Sequence, residues 1–267
     1  MGGQACVFYG AAEFSRDLDL LIQADETNLA KLAEAFAELG AEVIAVPPFH
    51  LQRGHAVHLR CRAGPVAGLR IDLMASLRGV AQFEELWARR VTIEVAGEAV
   101  DVLAIEDLVR AKKTQRDKDW PMIRRLMEQR YFESGADPSP DLVRFWLREL
   151  RTPELPIDLS TRHVELAREE ATRRPAVQAA LRGLPDDVTA ALESEERDER
   201  LRDRGYWAPL KREPQSCVCT GGRSYRSGPS RRFLYLWRLP CGHGSAIPPR
   251  GGCRTARRPN RPAPLDC

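Results

Sequence analysis

The sequence predicts an α+β protein: a small mixed β-sheet with flanking helices over residues 1–104, an all-helical region over 105–214, and a disordered tail over 215–267. Three observations predict it. Acidic and apolar residues alternate with a two-residue period in several short runs before residue 104, as half-buried strands require. From Ile105 onward the apolar positions recur at helical spacing. After residue 214 the composition changes abruptly, with Gly and Pro making up 14 of the last 53 residues.

The elements follow in order. Small apolar residues over 3–12 predict one short helix after the Gly2-Gly3 turn. Residues 15–22 (SRDLDLLI) read as a strand. Leu29, Leu32, Ala35, Phe36 and Leu39 recur at helical spacing, so 27–39 is a helix, and Gly40 stops it. Strands are predicted over 41–46, 55–61, 69–75, 90–96 and 98–104, with Gly97 making the turn between the last two. Helices are predicted over 105–114, 119–129, 139–149, 161–173, 175–183 and 186–204, punctuated by Pro153 and Pro156.

The formal charge of +3 is a sum of two unlike parts. Residues 215–267 hold ten Arg, no Lys and one acid, a net +9, so residues 1–214 are net −6. An acidic body argues against broad nucleic-acid binding. No stretch reaches the ~20 apolar residues of a membrane span, and the N-terminus lacks the pattern of a signal peptide. The expected setting is therefore cytoplasmic and reducing, with no membrane partner and with Cys6 and Cys61 as buried thiols. The tail holds five of the seven Cys. Cys217, Cys219, Cys241, His243 and Cys253 supply enough ligands for zinc, but the C-x-C spacing fits a zinc knuckle badly. Its Arg residues, with Tyr225, Phe233, Tyr235 and Trp237, offer a nucleic-acid-binding alternative. His50, His55 and His58 are expected in ordinary loop and strand roles, since a spacing of three puts His55 and His58 on opposite faces of a strand.

The carboxylates carry the chemistry. Asp17 and Asp19 lie two apart on one strand, so they share a face. Asp72 sits mid-strand between Ile71 and Leu73, where an acid is costly to bury without a partner. Three acids converging on one sheet face make a hard-oxygen site for Mg²⁺. Two such ions ~4 Å apart activate an attacking hydroxyl and stabilise a leaving pyrophosphate. Gly2 and Gly3 open the first helix, where backbone N–H groups can approach a phosphate.

The joint pattern is Gly2-Gly3, thirteen intervening residues, Asp17-Leu18-Asp19-Leu20, and later Arg70-Ile71-Asp72-Leu73. It resembles the signature of the DNA-polymerase-β-like nucleotidyltransferase superfamily. Val102-Leu103-Ala104-Ile105-Glu106-Asp107-Leu108, with the run from Lys112 to Asp119, looks like the segment after the catalytic sheet in small bacterial members. Those members are the minimal nucleotidyltransferases and the abortive-infection toxin-like group. The likeness spans roughly residues 1–130.

The resemblance implies a polymerase-β-like palm that moves an NMP from an NTP to an acceptor hydroxyl, on a protein, a tRNA or a small molecule, with Mg²⁺ or Mn²⁺. It implies that Asp17 and Asp19 ligate the metals and that Asp72 helps hold the catalytic one and serves the acceptor hydroxyl. Gly2 and Gly3 would cradle the triphosphate, and Ser15 and Arg16 would contact phosphate. Lys112, Lys113 or Arg116 would neutralise its charge. The plainer reading of these cations is a solvated helix face paired to Asp119, and of Ser15-Arg16 a turn. By analogy with the toxin-like group, an antitoxin is an expected partner. The superfamily also places a strand before the Gly-Gly, and this sequence starts at the Gly-Gly. The alternative function is thus a truncated or catalytically impaired member of the fold that binds a partner.

Overall fold

In the computed structural model, which describes residues 1–45, 51, 54–135 and 137–212, the alternating runs build a four-stranded mixed sheet. Its strands are β1 (Asp17–Leu21), β2 (Ala41–Ala45), β3 (Val57–Cys61) and β4 (Arg70–Met74), in the order β1-β4-β3-β2. β1 runs parallel to β4, and the other neighbours are antiparallel. The architecture is α+β, as expected. His50 and the tail, with its zinc and nucleic-acid readings, lie outside the described residues.

The two-residue period sorts the sheet into unlike faces. Leu18, Val57, Leu59, Ile71 and Leu73 pack on one side against Leu29, Ala33 and Phe36 of α2 (Glu26–Glu38). Asp25 caps that helix by accepting the Asn28 N–H at 2.9 Å. Asp17, Asp19, His58, Arg70 and Asp72 fall on the opposite face, because Asp19 stands beside Asp72 and Asp72 beside His58 in the strand register.

A second apolar cluster lies beyond that polar face. It joins Ala5 and Cys6 of α1 (Gly2–Phe8), Leu86 of α3 (Phe83–Ala88) and Val102 of β6 (Glu98–Val102) to the helical half. From that half come Leu108 of α4 (Ile105–Lys112), Ile123 of α5 (Asp119–Glu133), Trp146 of α6 (Pro140–Glu149), Leu159 of α7 (Glu154–Arg162), Ala167 of α8 (Val164–Ala171) and Val177 of α9 (Pro175–Ala180). The core therefore runs continuously across residue 104. Tyr9 fastens α1 to it, its hydroxyl donating to the Leu103 carbonyl at 2.8 Å. Cys6 and Cys61 are buried free thiols. No helix among the described residues is long and apolar enough to cross a membrane.

Two helices were not expected from the sequence. α3 is six residues long, too short for a periodic signal. α7 tolerates Pro156 because the proline lies in its first turn, where a backbone N–H has no helical partner. His163, at φ −128°, ψ 57°, then separates α7 from α8, splitting the single helix expected over 161–173. The last helix, α10 (Pro185–Arg212), runs past the expected end at residue 204.

The hairpin of β5 (Val91–Val95) and β6 turns over two residues with positive φ, Ala96 at 53° and Gly97 at 85°. This is the mirror-image turn that matches strand twist. Gly97 suits it, but Ala96 is strained there. Ala96→Asn is expected to raise unfolding stability by about 0.5–1 kcal/mol in a denaturant titration. A lower stability would show that the turn is held by something other than this backbone preference.

Candidate active site

The polar sheet face forms one wall of a cavity of about 430 Å³. Asp17, Asp19 and Asp72 line it from β1 and β4, with Gly2, Gly3 and Ser15 at one side. Lys112, Thr114, Gln115 and Arg116 also line it, as do Arg78 and Asp203, Trp207 and Lys211 of α10. Eight of the ten residues named for the site from the sequence are thus brought together, and Arg16 and Lys113 are the two that are not. Arg16 is exposed, off the cavity, with its guanidinium 5.9 Å from the Phe14 ring.

The glycines are needed because Asp19 and Ser15 lie against them. A Cβ on Gly2, whose φ is +71°, would stand 1.9 Å from Asp19 Oδ2. A Cβ on Gly3 would stand 2.4 Å from Ser15 Oγ. The Gly3 N–H donates to Asp19 Oδ2 at 3.1 Å, so this amide, expected on a phosphate, is turned onto the carboxylate. Gly2→Ala must both adopt the left-handed region and displace Asp19. It is expected to lower unfolding stability by about 1–2 kcal/mol; wild-type stability in a denaturant melt would show that Asp19 yields freely.

Asp72 is buried and accepts three hydrogen bonds. Arg70 grips it twice, Nε to Oδ1 at 2.8 Å and Nη2 to Oδ2 at 3.0 Å. His58 Nδ1 lies 2.8 Å from Oδ1. A carboxylate only accepts, so the Nδ1 proton points to Asp72. The 3.2 Å approach of Arg70 Nη2 to the same nitrogen is then a contact, not a bond. Burial pushes the Asp72 carboxyl up, but the hydrogen bonds from His58 and Arg70 outweigh it and hold the pKa below the usual range. The Arg70 guanidinium is raised, chiefly by its bond to Asp72, with the charges of Asp17 and Asp19 adding to it. Arg70 is therefore the shared counter-charge of all three carboxylates. Neither Arg70 nor His58 was singled out for this role in the sequence. The β3–β4 register that sets His58 beside Asp72 was the missing information, whereas Arg70 stands two residues before Asp72 on the same face of β4.

The cations near the cavity are engaged as well. Asp119 is buried at the start of α5 and accepts from Lys112 Nζ at 3.2 Å, Thr114 Oγ1 at 2.5 Å and Arg116 Nε at 2.7 Å. Burial opposes the Asp119 carboxylate, but the Lys112 charge, with Thr114 and Arg116, holds its pKa down. Lys112 and Arg116 thus pair with Asp119 and also face the cavity. Lys113 turns away to Glu149 at 2.7 Å.

Three carboxylates on one wall are the donor set a hard divalent cation takes. The residues fit in kind. As placed, however, Asp72 is held by Arg70 and His58, and no group of three His, Cys, Asp or Glu among the described residues is arranged to hold a metal ion. Comparison with protein-family models, with curated proteins and with solved structures gives no match to this chain.

Proposed function

We propose that the chain is a metal-dependent nucleotidyltransferase of the polymerase-β-like kind, with the four-stranded sheet as its palm. One observation carries the reading: Asp17, Asp19 and Asp72 share one sheet face and one cavity with a Gly-Gly segment that leaves no room for a Cβ beside Asp19. The substrate is an NTP, and the acceptor is a hydroxyl on a protein, a tRNA or a small molecule.

Asp17 and Asp19 would hold Mg²⁺ or Mn²⁺, with Asp72 alongside. When bound, the cation supplies Lewis-acid stabilisation of the transferring phosphoryl group and the departing pyrophosphate. The chain's own residues do the rest. Asp72, kept anionic by its partners, accepts the hydrogen bond of the acceptor hydroxyl. Lys112 and Arg116 line the same cavity, where they offset phosphate charge. Gly2 and Gly3 line the same cavity beside β1, where their backbone would meet the triphosphate.

A second reading is favoured by the double grip of Arg70 on Asp72. If that grip persists with nucleotide present, the chain binds NTP, or a partner, without transferring. Incubation with α-labelled NTPs, Mg²⁺ or Mn²⁺, tRNA and lysate proteins separates the two. Label on an acceptor supports the transferase; nucleotide binding with no transfer to any acceptor supports the second reading. Transfer that persists in Asp17→Asn/Asp19→Asn overturns the site assignment.

A further inference from the structure

Asp203, Trp207 and Lys211 recur every four residues along α10, so they share one helical face, and all three line the cavity. Asp203 is only 2% exposed. Its Oδ1 accepts from Arg78 Nε at 3.1 Å and from Trp207 Nε1 at 3.1 Å, and its Oδ2 from the Gln115 N–H at 2.9 Å. Tyr206 meets the indole edge-on, with ring centroids 5.1 Å apart. The Trp207 ring is therefore held by its polar edge, next to the segment that carries Lys112 and Arg116. Among the described residues that line the cavity, it is the only Trp, Tyr or Phe.

We propose that Trp207 is the platform on which the nucleobase of the NTP stacks. The inference rests on the nucleotidyltransferase reading and adds the base to it. In that reading, the acidic sheet face and the 112–116 segment take the triphosphate. Asp203 ties Trp207 to Gln115 of that same segment, so the indole stands beside the phosphate-facing wall. A flat aromatic ring there gives a base its π-face, and stacking of this kind tolerates any base. Lys211, one turn further on, adds a cation to the same face. Asp203 positions the ring through its Nε1 bond and does not itself touch the base.

The test measures binding of Mg²⁺-ATP and of Mg²⁺-tripolyphosphate to the full chain by calorimetry. Tripolyphosphate has the phosphates without the base. Trp207→Ala is expected to weaken ATP roughly tenfold and leave tripolyphosphate unchanged, while Trp207→Phe keeps most of the ATP affinity. ATP affinity of Trp207→Ala within roughly twofold of wild type overturns the stacking, even if tRNA binding falls. Equal losses for both ligands also overturn it, since they mark a general disturbance of the wall. A wild-type chain that binds neither ligand overturns the nucleotidyltransferase reading and this inference with it. A wild-type chain that binds both, with no effect of Trp207→Ala, sinks the stacking alone.

Discussion

Asp17→Asn/Asp19→Asn is expected to reduce nucleotide transfer at least about 10³-fold while leaving the fold intact. The size follows from charge. Asn keeps the shape and an acceptor for the Gly3 N–H, but it removes both negative charges that would draw a cation to β1. The fold should survive because both side chains are half-buried on the cavity wall rather than in either apolar cluster. Removing two carboxylates near Asp72 also relieves repulsion among like charges. Thermal unfolding near the wild-type midpoint with transfer lost is the expected pair of results. Transfer within tenfold of wild type, on the scale of about 1.4 kcal/mol in the barrier, would place the metal elsewhere.

The second large effect concerns stability. Arg151 and Arg174 are buried around half-buried Glu195, which Arg151 Nη1 and Arg174 Nε each reach at 2.9 Å. Arg174 also donates to the carbonyls of Leu147 and Leu150 at the end of α6, and Arg151 to Leu192 in α10. One carboxylate thus ties the end of α6 to α10. Burial works against its charge, but Arg174 and Arg151 hold the Glu195 pKa down to about 2. Glu195→Ala leaves two guanidiniums buried without their anion and is expected to cost about 3 kcal/mol in a denaturant titration. Burial lowers the Arg151 pKa in turn, so the net value of the group is smaller than the gain read from Glu195 alone. The folded pKa lies below the ordinary value of 4.5, so this contribution is complete above about pH 4.5 and is lost as pH falls toward 2. A variant within about 1 kcal/mol of wild type would show that water reaches the two arginines. Because α10 also carries Asp203 and Trp207, loosening it should weaken nucleotide binding as well.

Much of the site was legible in the sequence because strands report their faces through a two-residue period. Asp17, Asp19 and Asp72 could be placed on strands, and Gly2 and Gly3 beside a turn, from local order alone. Arg16 was carried along by its neighbour Ser15, although it lies outside β1 and turns to Phe14. His58 was assigned an ordinary role because its distance from His55 says nothing about β4. Only the antiparallel register of β3 with β4 sets it beside Asp72.

The sequence by itself determined the α+β order, the carboxylate-bearing strands, the Gly97 turn and the two buried thiols, because each depends on local periodicity or single-residue chemistry. Tertiary structure alone decided which distant groups meet: His58 on Asp72, Arg78 and Gln115 on Asp203, and Asp203 and Trp207 of α10 on the cavity wall. The physical reason is distance along the chain. Asp203 binds Gln115 and Arg78 from far away in sequence, and such pairings are set by how helices pack on a shared core, a quantity no local window contains.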